Sequence, residues 1–494
     1  MKILLINPRY NEVEYRYKVN KLCPPLGMGY IGAVLLQEGH SVRILDMEAL
    51  GMEWEELPPL LKREQPQLVG IHGTTPISHC IAQCAAVVRL HLPEAVIVVG
   101  GPHATLMPDA VLNEMPQVDY VLRGEAEFTM RDLVARIEQS AKLPDEPSIP
   151  GLGFRVGGEL RISEEIPLVA DVNQLPLPAY DLLPMDAYFY RSHLAETGSE
   201  GRIFTMMTSR GCPYRCIFCC EPVLYGHKFR ARSAENVVDE MMVLKNKFEV
   251  NHIVFYDASF MTDRRRVERI CRTILDRGLE VTWRARVRAQ EVSQPLVKLM
   301  REAGCTTIAI GLETGTQRLL DIIEKRCTLQ QIEDAFRWAH EAGLWTVAYC
   351  LLGIPSETRE ESIATVEFAK RLDPDWALFT HATPLPGTKL FEMTRDKLLT
   401  HDWSKFKFSA NSPVVSYDGM DESAMQEMMD YAFSAFYLRK GWLLNRLRKA
   451  TNPIQVERIV DSYYYYLEKY LGRRGMTPDS VAPRVAAGTG QLSG

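Results

Sequence analysis

The sequence predicts an α/β protein in which two successive parallel sheets are followed by a helical C-terminal section. Three observations indicate this class. Apolar strand-like runs alternate with helical patterns through the first part of the chain, and a second alternating series begins near residue 202. From about residue 390 the patterns are helical and rich in aromatic residues. Because alternating strands and helices build parallel sheets covered by helices, we expect an open doubly wound sheet and then a partial barrel.

The first series has five candidate strands, which is typical of a doubly wound, Rossmann-like sheet. They span residues 2–6, 41–45, 68–72, 95–99 and 120–122, with helical patterns between them, as at 28–37 and 77–91. Ligands of such sheets bind at the carboxyl ends of the strands, where glycines let the backbone approach a large flat ligand closely. The candidate binding residues of this crevice are Asn7, Pro8, Gly27, Thr74, Thr75, Gly100, Gly101, His103, Gly124 and Glu125.

The second series has six candidate strands and predicts a partial, TIM-type (β/α)6 barrel. They span residues 203–208, 252–256, 281–284, 306–311, 345–352 and 376–381. Helical patterns lie between them, and one helix is expected to open at Ser233, because Asn236 and an acidic first turn follow it. The working residues of such a barrel lie at the carboxyl ends of its strands.

These patterns divide the chain into five parts. We expect a first domain over residues 1–140, a linker over 141–201, the barrel over 202–389, a helical domain over 390–474 and a disordered tail over 475–494. The linker is rich in proline and glycine, as in LPLPAYDLLP, and should form docked turns without a core of its own. The tail ends in the low-complexity run RVAAGTGQLSG.

Composition narrows the class of protein. A net charge of -6 argues against a nucleic-acid-binding protein that depends on phosphate contacts. The opening MKILLINPRY has only a short apolar run and is typical of a first strand and not of a signal peptide, and no apolar stretch is long enough to span a bilayer. The 11 cysteines are irregularly spaced, which favours reduced thiols and a metal site over disulfides. We therefore expect a cytoplasmic protein.

Three cysteines form the strongest local motif. Cys212, Cys216 and Cys219 lie in one loop directly after a predicted strand. Three thiolates at this spacing can bind one cuboidal iron–sulfur cluster, and they leave one iron open for another ligand. The alternatives are a zinc knuckle, which would need a second ligand pair that the sequence lacks, or chance clustering. The adjacent Cys220 is expected to point elsewhere.

This CxxxCxxC loop, with Phe218 before its last cysteine, resembles that of radical S-adenosylmethionine enzymes. Downstream segments agree in order and placement, since each follows a successive predicted strand. The resemblance implies that the open iron of a [4Fe–4S] cluster chelates S-adenosylmethionine, and that the reduced cluster splits it to methionine and a 5′-deoxyadenosyl radical. It further implies an S-adenosylmethionine site formed by Asp257, Arg286, Gly311, Glu313, Gly353 and Pro386.

The N-terminal domain resembles the cobalamin-binding domain that is fused to some of these enzymes. The DxHxxG motif that gives a histidine to cobalt elsewhere is absent, because Asp46 is followed by Met-Glu-Ala-Leu-Gly. The resemblance implies a subclass that binds cobalamin without a protein histidine on cobalt. His72 and His103 are then candidates for hydrogen bonds. A flavodoxin-like module for another ligand is the alternative for this domain.

Together the two resemblances imply a cobalamin-dependent radical enzyme that methylates an unactivated carbon through methylcobalamin, with water and oxygen excluded. A second hypothesis keeps the cofactors but oxidises or cyclises the substrate without methyl transfer, as in anaerobic cyclase-like relatives. A third is a non-catalytic corrinoid or iron–sulfur carrier. The reductant implied by the resemblance is a flavodoxin or ferredoxin.

The C-terminal section gives one indication of the substrate. In residues 436–449, apolar and basic positions recur at helical spacing, and Tyr463 to Tyr466 follow. Such a helix could cover a hydrophobic substrate or rest on a membrane surface. The alternative is a helix packed over the barrel with its basic face in water. We expect a lipophilic small-molecule substrate.

Overall fold

The computed structural model describes residues 1–10, 23–139, 148–191, 201–407 and 413–470. The tail predicted to be disordered, residues 475–494, lies outside the described residues. Among the described residues, none of the helices is both long enough and apolar enough to cross a membrane.

The first sheet contains the five predicted parallel strands, whose ends agree with the prediction to within one residue. They are β1 (Lys2–Asn7), β2 (Ser41–Asp46), β3 (Leu68–His72), β4 (Val96–Gly100) and β5 (Tyr120–Leu122). Their order, β2-β1-β3-β4-β5, is that of a doubly wound fold, in which the connections reverse direction between β1 and β3. The predicted fold class of this domain is confirmed.

Two further strands extend this sheet from within the predicted linker. The strands β6 (Leu152–Val156) and β7 (Glu159–Ile162) add antiparallel to the edge at β5, and residues 157–158 form the turn between them. This hairpin was not predicted. The sheet is therefore mixed, although its five core strands are parallel.

The six predicted strands of the barrel form one parallel sheet in the order β15-β14-β13-β12-β11-β8. They are β8 (Ile203–Met206), β11 (His252–Phe255), β12 (Thr282–Val287), β13 (Cys305–Glu313), β14 (Trp345–Leu352) and β15 (Trp376–His381). A small antiparallel pair, β9 (Ser209–Arg210) and β10 (Arg230–Ala231), brackets the cysteine loop. Sequential parallel neighbours with helical crossovers give the partial barrel that the sequence predicts.

The helices cover both sheets and continue beyond the barrel. They are α1 (Leu26–Gln37), α2 (Met47–Leu50), α3 (Leu57–Glu64), α4 (Ser78–His91), α5 (Pro102–Leu106), α6 (Pro108–Glu114), α7 (Ala126–Glu138), α8 (Met185–Arg191), α9 (Glu221–Tyr225), α10 (Ala234–Phe248), α11 (Arg264–Asp276), α12 (Gln294–Glu302), α13 (Gln317–Ile322), α14 (Leu329–Glu341), α15 (Arg359–Leu372), α16 (Lys389–Thr394), α17 (Glu422–Tyr437), α18 (Lys440–Lys449) and α19 (Pro453–Tyr470). As predicted, Ser233 caps α10, since its hydroxyl accepts from the Asn236 amide at 3.1 Å.

One apolar core joins the two sheets. It contains Leu5 of β1 and Phe204 of β8, and the segment before α8 packs between them. Within that segment the Tyr180 ring meets Phe204 edge-on at 5.6 Å, and its hydroxyl donates to the buried Glu240 carboxylate. The proline-rich segment is therefore packed into the shared core.

Buried charges also link the two domains. The carboxylate of Glu125, at the start of α7, lies 2.5 Å from Arg230 and 3.1 Å from Arg210, both of the barrel. Arg210 is paired as well with Glu127 of α7 at 2.6 Å. All four side chains are buried, so this network fixes how the two sheets face each other.

Helix α18, in the C-terminal section, packs at the amino-terminal end of the barrel strands. Its Trp442 ring meets Trp376, the first residue of β15, at 5.4 Å. Arg446 and Lys449 pair with Asp375 at 3.3 and 2.7 Å. The expectation that the basic face of this helix lies in water is therefore wrong for these two residues. The candidate sites lie at the carboxyl ends of the strands. Because α18 packs at the other end of the barrel, it does not cover those sites.

Candidate cluster and cobalamin sites

The cysteine loop runs from β9 to α9, at the carboxyl end of the first barrel strand. The Cys212 amide donates to Gly226 at 3.1 Å, and the Cys219 amide donates to Cys216 at 3.1 Å. Gly211 has φ +81, and a Cβ there would overlap the Lys228 carbonyl, so a glycine is required at this bend. These constraints hold the three cysteines in a single compact turn.

The three thiols suit an iron–sulfur cluster. None forms a disulfide, and each is buried or half-buried. Burial raises the pKa of the Cys212 and Cys219 thiols, so bound iron would be needed to hold them as thiolates. In the described part of the chain, no three His, Cys, Asp or Glu side chains lie close enough together to bind one metal ion. Three thiolates that bind three different irons of one cluster need not converge on a single point.

Cys220 has different surroundings. It packs against the apolar cluster formed by Leu385, Phe391, Phe406 and Val414. The neighbouring Ile217 packs into another apolar cluster, with Leu319, Ile323, Leu351, Ile354, Ala382 and Leu390. Apolar packing on both sides thus anchors the loop, with Cys220 in one apolar cluster and Ile217 in the other.

Arg288 contacts the cysteine loop, which the sequence did not predict. Its Nη1 donates to the Cys216 sulfur at 3.1 Å, and its Nη2 donates to the Lys325 carbonyl. The guanidinium lies 3.7 Å from the centre of the Tyr214 ring, and the Tyr214 hydroxyl donates to Glu291 at 2.9 Å. A fixed positive charge therefore lies directly against one of the three thiols.

Glu313 occupies the carboxyl end of β13, as predicted for an S-adenosylmethionine ligand. It has φ +61, which is rare for a residue with a side chain, and it forms a buried ion pair with Lys325. The pair lies over Gly311, where a Cβ would collide with both charged groups. Gly311 is thus required by the ion pair, and Lys325 is a site residue that the sequence analysis missed.

Asp257 is turned toward the strand that leads into the cysteine loop. Its Oδ1 accepts from the Thr208 amide at 3.1 Å, the Thr208 hydroxyl at 2.9 Å and the Ser209 hydroxyl. Its buried Oδ2 has no hydrogen-bond partner among the described residues. Asp257 therefore positions the start of the loop and has one oxygen left to bind a ligand.

The remaining predicted S-adenosylmethionine residues have different surroundings. Gly353 has φ +76 and lies against Met425, and Pro386 is buried in the turn before α16. Arg286 projects from β12, with its guanidinium 4.4 Å from the centre of the Tyr256 ring. The structure brings Glu313 and the cysteine loop to one barrel end, while contacts of these residues with S-adenosylmethionine stay predictions.

A cavity of about 300 Å³ lies between the carboxyl ends of the two sheets. From the first sheet it is lined by the predicted residues Gly27, Gly100, Gly101, Gly124 and Glu125, and by His72. Thr205, Met207, Arg210 and Tyr256 line it from the barrel side. The cavity therefore lies at the position where doubly wound sheets bind their ligands.

This cavity fits part of a cobalamin molecule. A Cβ at Gly27 would meet nothing within 4 Å, and one at Gly100 would touch only a carbonyl at 4.0 Å, so bare backbone faces open space. Deeper in, the walls are apolar, with Leu5, Val98 and Leu122. Burial lowers the pKa of His72 to about 4, so this histidine is neutral and can hydrogen-bond a ligand.

Several predicted residues do not line the cavity. Asn7 donates to Asp46 at 2.9 Å, and the His103 ring lies 3.4 Å from the Thr75 hydroxyl. Pro8 and Thr74 lie at the same sheet edge without lining the cavity. Glu125 lines it, but its carboxylate is held by the interdomain arginines.

Thr105 was missed by the sequence analysis, although it connects two of the glycine loops. Its hydroxyl donates to Gly101 at 3.0 Å and accepts from the Gly124 amide at 2.9 Å. No sequence signal marked it, because the hydrogen bonds of one threonine cannot be read from spacing.

Gly27→Leu tests the cavity. A leucine at this helical position should meet no protein atom but fill the space, so the fold should be kept while hydroxocobalamin affinity falls about tenfold or more. Equilibrium dialysis measures the affinity. Gly441→Leu, in α18 at the other end of the barrel and also without neighbours, is the matched control and should bind normally. Unchanged affinity in Gly27→Leu would contradict this placement.

Arg288→Gln tests the contact with Cys216. Hydrogen bonds and positive charge at cluster sulfurs favour the reduced state, so the substitution should make the reduction potential of the cluster more negative. An EPR-monitored redox titration of the reconstituted protein measures this potential. Arg288→Lys, which keeps the charge, should shift it less, and Arg301→Gln, on α12, should not shift it. An unchanged potential in Arg288→Gln would argue that the contact is lost once the cluster binds.

Comparison with known proteins agrees with both sites. Residues 206–369 match the radical SAM superfamily, and residues 15–134 match the B12 binding domain. An uncharacterized methyltransferase of Pyrococcus horikoshii is 35% identical over 447 residues, which cover 90% of this chain and 94% of the relative. The anaerobic magnesium-protoporphyrin IX monomethyl ester cyclase of Rubrivivax gelatinosus is 26% identical, covering 90% of this chain and 78% of the cyclase.

The fold is also that of a solved enzyme. The structure of the cobalamin-dependent S-adenosylmethionine radical enzyme OxsB, with aqua-cobalamin and S-adenosylmethionine bound, superposes with a TM-score of 0.72 at 17% identity. The match covers 99% of this chain and 79% of OxsB. The chain therefore belongs to the family of cobalamin-binding radical S-adenosylmethionine enzymes, whose cofactors are a [4Fe–4S] cluster, S-adenosylmethionine and cobalamin.

Proposed function

We propose that this chain is a C-methyltransferase that cleaves S-adenosylmethionine at its cluster and methylates an unactivated carbon of a small molecule. The observation that carries the proposal is the short connection between the two sites. Tyr256 lines the cobalamin cavity and stacks with Arg286, which lies two residues before Arg288 at the cysteine loop. In this proposal a substrate carbon held near Arg286 meets both cofactors.

The cofactors supply the reactive groups, and the protein supplies position. When bound, the cluster and S-adenosylmethionine supply a 5′-deoxyadenosyl radical, and cobalamin supplies the methyl group. In this proposal Cys212, Cys216 and Cys219 hold the cluster, and Glu313 and Lys325 orient S-adenosylmethionine. The glycine loops after β4 and β5 hold the corrin. Burial of the surrounding side chains excludes water and oxygen from a radical that would react with either.

We further propose a substrate with an apolar body, although helix α18 no longer supports this. The support is the Rubrivivax relative, whose name gives a tetrapyrrole ester as its substrate. A flavodoxin or ferredoxin would deliver electrons. A cytoplasmic location is consistent with the 11 free cysteines.

The second candidate is oxidation or cyclisation without methyl transfer. The similarity to the Rubrivivax cyclase favours it, while the higher identity to the Pyrococcus methyltransferase favours methylation. Both candidates use the same cysteine loop and the same cavity, so only the fate of the methyl group separates them.

Labelled S-adenosylmethionine separates the two candidates. Anaerobic holoenzyme loaded with hydroxocobalamin is reduced and given S-adenosylmethionine with a deuterated methyl group. We expect S-adenosylhomocysteine to form in an amount close to that of the enzyme, with the label on the corrin, as measured by mass spectrometry. Cys216→Ala should form no 5′-deoxyadenosine, whereas Cys220→Ala should form normal amounts. Release of 5′-deoxyadenosine from wild type without labelled corrin would favour the cyclase-like reaction.

A further inference from the structure

Three arginines occupy alternate positions at the end of strand β12. Arg284 and Arg286 lie on the strand, and Arg288 directly follows its last residue, Val287. Alternate residues of a strand share one face, so Arg284 and Arg286 point the same way. Ala285 and Val287, which alternate with the arginines, are buried in the apolar core, so Arg284 and Arg286 lie on the opposite, inner face of the barrel.

Two of the three arginines have clear partners. Arg284 donates to the Tyr349 hydroxyl at 3.3 Å, and Arg288 donates to Cys216 and to the Lys325 carbonyl. Arg286 differs from both. It stacks on Tyr256, but in the described part of the chain no carboxylate or carbonyl accepts a hydrogen bond from its guanidinium.

Arg286 lies deep in the protein and yet keeps accessible surface. Glu221, at the start of α9, and Tyr349 are near enough for their charges to interact with it, and both are also half-buried. Neither forms an ion pair or hydrogen bond with it. These side chains therefore lie near one another, each with part of its surface accessible, and Arg286 bonds to neither of the other two.

Arg286 lies between residues of the two candidate sites. Tyr256, against Arg286, lines the cobalamin cavity, and Tyr225, close to Glu221, lines it too. On the other side Arg288, which contacts Cys216, follows Arg286 by two residues, about 7 Å at roughly 3.3 Å per residue. A substrate carbon that must meet both the adenosyl radical and the methyl group has to lie in this interval.

The position of Arg286 is unlike that of the predicted S-adenosylmethionine residues. In the sheet register it lies beside Ala309, two residues below Gly311 on the neighbouring strand. At the cysteine loop, Arg288 contacts Cys216, and Arg215 lies within the loop itself. An amino acid carboxylate at the open iron would therefore have positive groups other than Arg286 to bind.

A guanidinium set deep in a protein without a hydrogen-bonded anion is costly, because it has lost water and the nearby Glu221 carboxylate does not hydrogen-bond to it. Its planar fork of donors matches the two oxygens of a carboxylate or phosphate. We propose that Arg286 binds an anionic group of the substrate, a carboxylate, phosphate or phosphonate, with the apolar part directed toward the corrin. The inference rests on the proposed function, and it reassigns Arg286 from S-adenosylmethionine to the substrate.

Small probes test this assignment on the oxidised holoenzyme. Propionate and methylphosphonate represent the two anion classes, and propionamide is their neutral counterpart. Saturation-transfer NMR should show saturable binding of at least one anion and none of propionamide. Arg286→Gln should weaken anion binding by about tenfold or more, and Arg286→Lys should weaken it less. Arg337→Gln, an exposed residue of α14, is the matched control and should bind as wild type does.

Two results would overturn the assignment. One is anion binding that is absent from wild type or unchanged in Arg286→Gln. The other is a tenfold loss of S-adenosylmethionine affinity in that variant, which would place Arg286 in the S-adenosylmethionine site; we expect this affinity to stay within about twofold. The proposed function is tested separately by the assay with labelled S-adenosylmethionine. If methyl transfer to cobalamin fails, the corrin of the wild-type protein stays unlabelled in that assay.

Discussion

The buried charges between the two domains are the constraint on which both cofactor sites depend. Glu125 and Glu127 of α7 pair with Arg210 and Arg230 of the barrel, away from water. Removing one partner from such a network costs about 3–5 kcal/mol, because the others stay buried without compensation. Glu125 directly follows Gly124 at the cobalamin cavity, and Arg210 lies two residues before Cys212. One network therefore fixes the loop at Gly124 and the cysteine loop relative to each other.

Strand β12 then sets the interval between the sites. A strand in the middle of a parallel sheet is bonded on both sides, so its residues are held at fixed spacing. Arg288 contacts Cys216 in the cysteine loop, and Arg286 stacks on Tyr256, which lines the cobalamin cavity. The proposed chemistry needs a substrate carbon positioned to within a fraction of an ångström between two cofactors. Because Arg286 lies on this strand and Arg288 directly follows it, the strand fixes where both arginines begin.

Much of this architecture was predictable from local pattern. The strand positions of both sheets follow from apolar periodicity, and the cysteine loop follows from spacing after a strand. The hairpin β6–β7 was missed, although the Gly157-Gly158 pair between two short strands is a hairpin signal. The ion pairs of Glu125 could not be predicted, because its arginine partners lie 85 and 105 residues away in sequence. Arg288 and Lys325 were missed for the same reason, since long-range contacts leave no periodicity.

Magnetic interaction between the two cofactors tests the central claim most directly. The reduced cluster and cob(II)alamin each carry an unpaired electron, and both can be prepared in the substrate-free holoenzyme. If both sites face one space across strand β12, reducing the cluster should split the cob(II)alamin EPR signal or accelerate its relaxation. Cys216→Ala, which should lack the cluster, should show an unperturbed cob(II)alamin signal. An unperturbed signal in wild type with a fully reduced cluster would contradict the claim that the two sites share one reaction space.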